Sequence, residues 1–303
     1  MQRGTRDQIG YLFDSRMEPV LRVQSGETFV VETEDSRTGR CRTPEQCTPE
    51  ALRQLKAHRY YSNPVTGPIY VEGSEPGDTL LVHVEHIEPD TQGYTGYDTT
   101  GTHFPEWFTE PCTYIYQIRD GYVHFGDRIR IPLRPMLGTI GTAPDLESPR
   151  SATVGKHGGN LDCPEVSSGN VVSLPVEVPG ALLFLGDAHA VQGDGELSGG
   201  AIEMRSTTTL RVVLRKGRPA SMTWPRIETP DTILVVAADK PLEAALKHAI
   251  RDMVLWLEAE YRFGRSEAYM LLGQVGSARA CQAAGNLATP YTMSVAIPKQ
   301  FLA

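Results

Sequence analysis

Glycine and proline punctuate this chain so densely that long helices have little room: 29 Gly and 22 Pro are spread over 303 residues. Proline removes a backbone donor, and glycine weakens the interior of a helix or strand. The pieces between them are short. Many alternate apolar and polar residues with period two, the pattern of half-buried strands. Residues 21–32 read as a hairpin with Ser25, Gly26 and Glu27 at its tip. Residues 79–87 read as a strand after the turn Glu75-Pro76-Gly77-Asp78, and residues 128–133 as a shorter one. Residues 202–214 alternate at length, with Ile202, Met204, Leu210, Val212 and Leu214 on one face and Glu203, Arg205, Thr207, Thr209 and Arg211 on the other. The apolar runs 181–185 and 232–238 suit strands buried on both faces.

Helices are fewer. Thr48 is an N-cap, with Pro49 in the first turn and Glu50 near the positive dipole end, for a helix reaching about Ala57. Leu242, Ala245, Ala249, Met253, Leu257 and Tyr261 recur at helical spacing over 241–263, and Gly264 is the expected stop. Ser266 is the expected cap of a second short helix through Leu272. The predicted fold is mostly β, sandwich-like or barrel-like, with helices near the C-terminal end and no linker composition to divide it. Residues 94–108 are strand-poor and aromatic-rich (Tyr94, Tyr97, Phe104, Trp107, Phe108). They read as a loop that either walls a ligand pocket or tucks onto the core.

Charge narrows the partners. The net charge is -8, with acids and bases interleaved, so no basic stripe invites nucleic acid. No apolar run is long enough to span a bilayer. Residues 1–14 lack the basic start and apolar middle of a secretory signal, and a cytoplasmic location is expected. The five cysteines are odd in number and include no C-x-x-C pair, which argues against a disulfide framework or a thiolate zinc cage. Cys41 and Cys47 are then expected to stay reduced.

Two polar, glycine-rich segments concentrate metal-binding side chains. One is HGGNLD at 157–162; the other is GDAHAVQGDGE at 186–196, directly after the run 181–185. On an extended chain, residues i and i+2 share a face, so Asp187 and His189 point together, as do Asn160 with Asp162 and Asp194 with Glu196. Imidazole with carboxylate suits zinc, which polarises a carbonyl and lowers the pKa of water. A nearby carboxylate then carries the proton to the departing amine, a role open to Asp194 or Glu196. Spacing alone leaves the alternative open that His157 and His189 are hydrogen-bonded structural histidines and that Asp194-Gly195 is a hairpin turn.

The strings HGGNLD and GDAHAVQGDGEL resemble the signature segments of the acetamidase/formamidase family. LRVQSGETFVVETED, NPVTGPIYVEGSEPGDTLLVHV, IPLRPMLGTIGTAP, AIEM, SEAYMLL and a last strand ending at Ile297-Pro298-Lys299 fit the same family in the same order. The resemblance covers nearly the whole chain, and so implies one catalytic unit over residues 1–303. It implies hydrolysis of a short amide, formamide-like or acetamide-like, to a carboxylic acid and ammonia, on a mostly-β fold and as a homo-oligomer. It also implies a divalent metal, zinc foremost, with calcium at an additional site. Carried onto this chain, the motif selects His157, Asn160, Asp162, Asp187, His189, Asp194 and Glu196. We assign His157, Asp162, Asp187 and His189 as metal ligands and Glu196, Asp194 and Asn160 as catalytic groups. Glu203 lies in a family-like segment, where it either reaches the site or meets solvent. Three features depart from the pattern: Cys163 follows Asp162 where a small polar residue is usual, the segment 41–60 has no counterpart, and the stretch 226–232 lacks a histidine.

Two rivals remain from other classes. Cys163, with His157 nearby in sequence, offers a cysteine-nucleophile amidase, against its reading as a small buried residue. A non-enzymatic, calcium-dependent small-molecule-binding β-sandwich would use the aromatic loop and the acids, but calcium favours oxygen ligands over histidine. His83, Glu85 and His86 read as a salt-linked surface. His103 stays a candidate for substrate contact or an extra ligand.

Overall fold

The computed structural model describes residues 1–58, 63–99, 101–126, 128–285 and 289–302. It is mostly β, with 41% of residues in strands and 16% in helices, and its sheet curls into a half-barrel. Strand pairing is antiparallel except where Arg3–Gly4 joins Thr28–Thr33 and Leu21–Val23 joins Val65–Val71. No helix among the described residues is long and apolar enough to cross a membrane.

Two long strands, Thr79–Tyr97 and Glu203–Arg215, form the spine of the sheet and pair along most of their length. The predicted alternation on the second holds over 204–212, where Met204, Leu210 and Val212 are buried and Arg205, Thr207, Thr209 and Arg211 are partly exposed. Its other edge serves two partners. Residues 206–211 pair with Thr28–Thr33, while residues 203–204 pair with Leu183–His189. The sheet therefore splays beside Glu203. The inner face packs side chains such as Phe29, Val82, Leu137, Leu174, Leu185 and Val212, all fully buried. Burying one such side chain contributes about 1.5–3 kcal/mol.

A second core lies under the helix Leu242–Tyr261. Ala245, Ala249, Met253 and Leu257 form its buried apolar stripe, and the last three pack in one cluster with Ile233, Val235 and Ile297 of the strands Thr232–Asp239 and Tyr291–Pro298. Its predicted stop needs correcting. Arg262, in the left-handed region at φ 62°, ends the helix, and Gly264 is instead the N-cap of the next helix, Arg265–Val275. Glu267, rather than Ser266, secures that start by accepting from the Gly264 backbone N–H at 3.2 Å. The first helix, Pro49–Lys56, starts as expected, with the Thr48 hydroxyl accepting from Ala51 N–H.

Two further expectations change. The turn after Val23 exists, but Leu21–Val23 and Thr28–Thr33 pair with other strands, so residues 21–32 are not a hairpin. Residues 94–97 belong to the spine strand, where they pair with Cys112–Arg119, and the described residues among 98–108 are irregular. There Phe104 stacks on Trp107 with centroids 4.4 Å apart, and Trp107 is exposed.

Candidate functional site

Five strands lie side by side at the splayed end of the sheet and present one cluster of polar side chains. Asn160, on Gly158–Asn160, pairs with Thr139 on Met136–Thr142. That strand pairs in turn with Leu183–His189, with Met136 opposite His189 and Thr139 opposite Gly186. His189 stands opposite Glu203, and Glu203 opposite Tyr94. Two bends complete the cluster. Asp162, just past its strand, is anchored by its N–H on the Gly138 carbonyl, and Glu196 sits in the turn after Gly193.

The donor atoms of Asp162, His189 and Glu196 lie within 4.8 Å of one another, as do those of Asp187, His189 and Glu203. His189 belongs to both groups, and its Nε2 is 3.3 Å from Glu203 Oε2 and 3.6 Å from Asp187 Oδ1. All five side chains are buried. Three of them occupy left-handed backbone, Asp162 at φ 47°, Asp187 at 55° and Glu196 at 44°. Such a residue costs on the order of 1–3 kcal/mol and persists where its surroundings hold it, a feature that gathers at functional sites.

Those surroundings are an amide-rich shell. Asn63 Nδ2 donates to Asp187 Oδ2 at 2.9 Å and to Asn160 Oδ1 at 2.8 Å. The Thr139 hydroxyl donates to Asn160 Oδ1 at 2.6 Å, and Asn160 Nδ2 donates to Asp162 Oδ2. Gln282 Nε2 also donates to Asp162 Oδ2, at 3.1 Å. The Ala201 N–H donates to Glu196 Oε1 at 3.0 Å. Gly138 forms the floor, since a Cβ there would stand 2.6 Å from Asp162 Oδ1 and 2.7 Å from Asp187 Oδ2.

Four buried carboxylates around one imidazole cannot all ionise freely. Burial, reinforced by the charges of Glu196 and Asp187, pushes the Asp162 carboxyl well above its usual range. Burial and the charge of Glu203 raise Asp187 to about 6. Burial raises Glu196 to about 8, against the opposing charge of His189 and with the help of Glu203 and Asp187. Glu203 goes the other way: burial opposes its ionisation, but the adjacent His189 prevails and holds it at about 2. Burial also opposes a charge on His189, yet Glu203 and Asp187 raise its pKa well above the usual value. The cage carries more acid than one imidazolium can neutralise. His189 Nε2, Asp162 Oδ1 and Glu203 Oε2 are buried with no hydrogen-bond partner among the described residues. A divalent cation fits both facts, and imidazole with carboxylate is a donor set suited to zinc.

The structure brings Asn160, Asp162, Asp187, His189 and Glu196 together and leaves out two residues selected from the sequence. His157 is buried against the edge of Phe13, with ring centroids 4.9 Å apart, and lines a groove with Trp224, Val176 and Lys156. It joins neither donor group. Asp194 is exposed and pairs with Arg279 Nη1 at 3.2 Å. Cys163 is fully buried, and its thiol donates to Glu165 Oε2 at 3.2 Å. Contact with the Cys281 thiol, and then burial, push its pKa well up, which opposes a nucleophilic thiolate. The His103 Nε2 accepts from the Gly285 backbone N–H at 3.0 Å. Glu85 and His86 are salt-linked to Arg211 and Glu88. Sequence reasoning left Glu203 open and passed over Asn63, Gly138, Thr139, Gln192 and Gln282. Of these, Asn63 opens the quoted NPVTGP string and Gln192 lies inside the second signature segment.

Comparison with known proteins follows the same lines. The sequence model of the Acetamidase/Formamidase family matches residues 12–154 and 146–302. A crystal structure of an acetamidase from Bacillus halodurans superposes with a TM-score of 0.91 at 32% identity, covering 99% of this chain and 98% of that one. An acetamidase structure from Yersinia enterocolitica superposes with a TM-score of 0.90 at 32% identity, covering 100% and 93%. A formamidase from Methylophilus methylotrophus is 28% identical over 254 residues, 65% of this chain and 61% of that protein. The chain thus spans about three fifths of the length of the curated relatives it matches.

Proposed function

The chain belongs to the acetamidase/formamidase family, and from that premise we propose that it is an amidohydrolase converting a short linear amide to a carboxylic acid and ammonia with the help of a divalent metal, zinc foremost. The observation that carries this reading is the buried cage in which two groups of metal-binding donors share His189. In it, His189, Asp162, Asp187 and Glu203 would hold the metal. Bound there, zinc supplies Lewis acidity, polarising the amide carbonyl and lowering the pKa of water.

The chain's own residues have distinct tasks in this reading. Glu196, buried beside Asp162 and His189 and held by the Ala201 N–H, stands where a carboxylate would take a proton from water and return it to departing ammonia. The Asn160 amide is engaged at both ends, by Thr139 and Asn63 on its oxygen and by Asp162 on its nitrogen. It therefore acts by orienting Asp162. Gly138 leaves the two aspartates room to approach the same point. Calcium at an additional site, assembly into a homo-oligomer and a cytoplasmic location complete the proposal, and these rest on the family resemblance and the residue pattern alone.

The histidine at the centre of the cage disfavours a purely calcium-binding module. The test is ammonia release from formamide and acetamide. We expect hydrolysis that a chelator abolishes and zinc restores. Hydrolysis that survives chelation and is lost in Cys163→Ala would transfer the reaction to the thiol. Metal-replete protein that hydrolyses no short amide would remove the activity altogether.

A further inference from the structure

A histidine has two ring nitrogens, and a metal ligand must offer a lone pair on one of them. In His189, Nε2 faces the carboxylates and Nδ1 faces Oε1 of Gln192 at 2.9 Å. The identity of that facing atom is fixed by the other end of the same amide. Gln192 Nε2 lies 2.6 Å from the Asp162 carbonyl oxygen and 3.0 Å from the Cys281 carbonyl oxygen. Both are acceptors only, so the amide must turn its NH2 to them and its oxygen to His189. A flipped amide would set oxygen against two carbonyl oxygens and forfeit both hydrogen bonds in a buried place, where no water replaces them. An oxygen facing Nδ1 accepts, so Nδ1 carries the proton. The remaining lone pair then belongs to Nε2, the nitrogen inside the cage.

We propose that Gln192 is the positioning residue of the metal centre: it fixes the Nδ1–H form of His189 and so reserves Nε2 for a divalent cation. The inference rests on the metal reading above and assigns a role to a residue that touches neither the reacting atoms nor the cage interior. Gln192 is buried, sits three residues after His189 and ties the two signature segments together through the Asp162 carbonyl. An outer partner of this kind fixes ring orientation and raises ligand basicity, and its loss weakens metal affinity about 10–100-fold.

The rival account is a strut that only joins Asp162 to Cys281, and two substitutions separate the two. Gln192→Leu removes both the acceptor and the donors. Gln192→Glu keeps an oxygen for Nδ1–H in either protonation state but cannot serve both carbonyls. The experiment measures zinc affinity of the full chain by competition with a chromophoric chelator, with melting of the metal-free proteins as the fold check. Positioning predicts that Q192L loses about 10–100-fold in zinc affinity while Q192E stays within about threefold of the parent. Equal losses in Q192E and Q192L, or an unchanged affinity in Q192L, would overturn it while leaving the metal reading intact. A parent that binds no zinc would sink both. Should Q192L fail to fold, 15N spectra of histidine-labelled, zinc-loaded parent decide: a protonated Nδ1 on His189 supports the assignment, and a protonated Nε2 refutes it.

Discussion

Glu203 and His189 sit directly opposite each other on neighbouring antiparallel strands, and Oε2 of the one approaches Nε2 of the other to 3.3 Å. The contact joins the spine of the sheet to the second signature segment, and it makes Glu203 a member of the cage. Glu203→Gln keeps the shape and removes the charge. We expect it to lower zinc affinity by at least about 10-fold, with amide hydrolysis falling in parallel. Elemental analysis after dialysis, read beside ammonia release, checks this; a variant that retains full zinc and full activity would return Glu203 to a structural role.

Gly138 should tolerate no side chain. Its backbone is not left-handed, so an alanine meets no conformational objection; its Cβ meets the two carboxylates at 2.6 and 2.7 Å and the Asp187 carbonyl oxygen at 2.9 Å. Forcing Asp162 and Asp187 apart should cost about 1–3 kcal/mol, the usual range for overpacking a filled interior, and should abolish zinc binding. Thermal melting with and without zinc gives both numbers at once. A Gly138→Ala protein that zinc stabilises as much as the parent would show that the two aspartates do not share a cation.

Asp194 and Glu196 should behave oppositely, although the sequence pairs them. Asp194→Asn removes an exposed partner of Arg279 and should change stability by less than about 1 kcal/mol and hydrolysis hardly at all. Glu196→Gln removes the proposed proton carrier and should slow hydrolysis by about 10²–10⁴-fold. Steady-state rates of the two variants measured side by side decide the matter, and comparable losses in both would contradict the assignment.

Burial alone lowers the pKa of His157 to about 4. Between that value and the usual histidine value, the unfolded chain binds a proton there and the folded chain does not, so stability falls as pH falls. The contribution is fully present above about pH 6.5 and is lost progressively towards pH 4, by roughly 1–3 kcal/mol. Denaturant melts across this window should show a smaller loss in His157→Leu than in the parent. The same slope in both would mean that His157 protonates freely in the folded protein.

Much of the fold was legible because the hydrophobic pattern is local. Alternation located the strand through Met204, Leu210 and Val212, and helical spacing located Ala245, Ala249, Met253 and Leu257. The i, i+2 rule also found Asp187 with His189 and Asn160 with Asp162. It failed for Asp194 and Glu196, which share a turn closed by the Glu196 N–H on the Gly193 carbonyl and point apart, one exposed against Arg279 and the other buried in the cage. It gave no warning about His157, which precedes two left-handed glycines, Gly158 at φ 101° and Gly159 at φ 99°. Glu203 stayed undecided because its partner depends on strand register, which the sequence of one strand does not contain. Asn63 and Gln282 reach the site from 97 residues before Asn160 and 120 residues after Asp162; Asn63 opens a family-like string, but no spacing ties either residue to the cage.

In the proposed centre, one divalent cation lies where His189 Nε2 meets the buried carboxylates. Anomalous scattering at the zinc edge, recorded from crystals of the active protein, tests it most directly. A peak is expected within coordinating distance of His189 Nε2 and of carboxylate oxygens from Asp162, Asp187 or Glu203, with no contribution from His157. A catalytically active crystal without metal in this cage, or with metal bound at His157 instead, would contradict it.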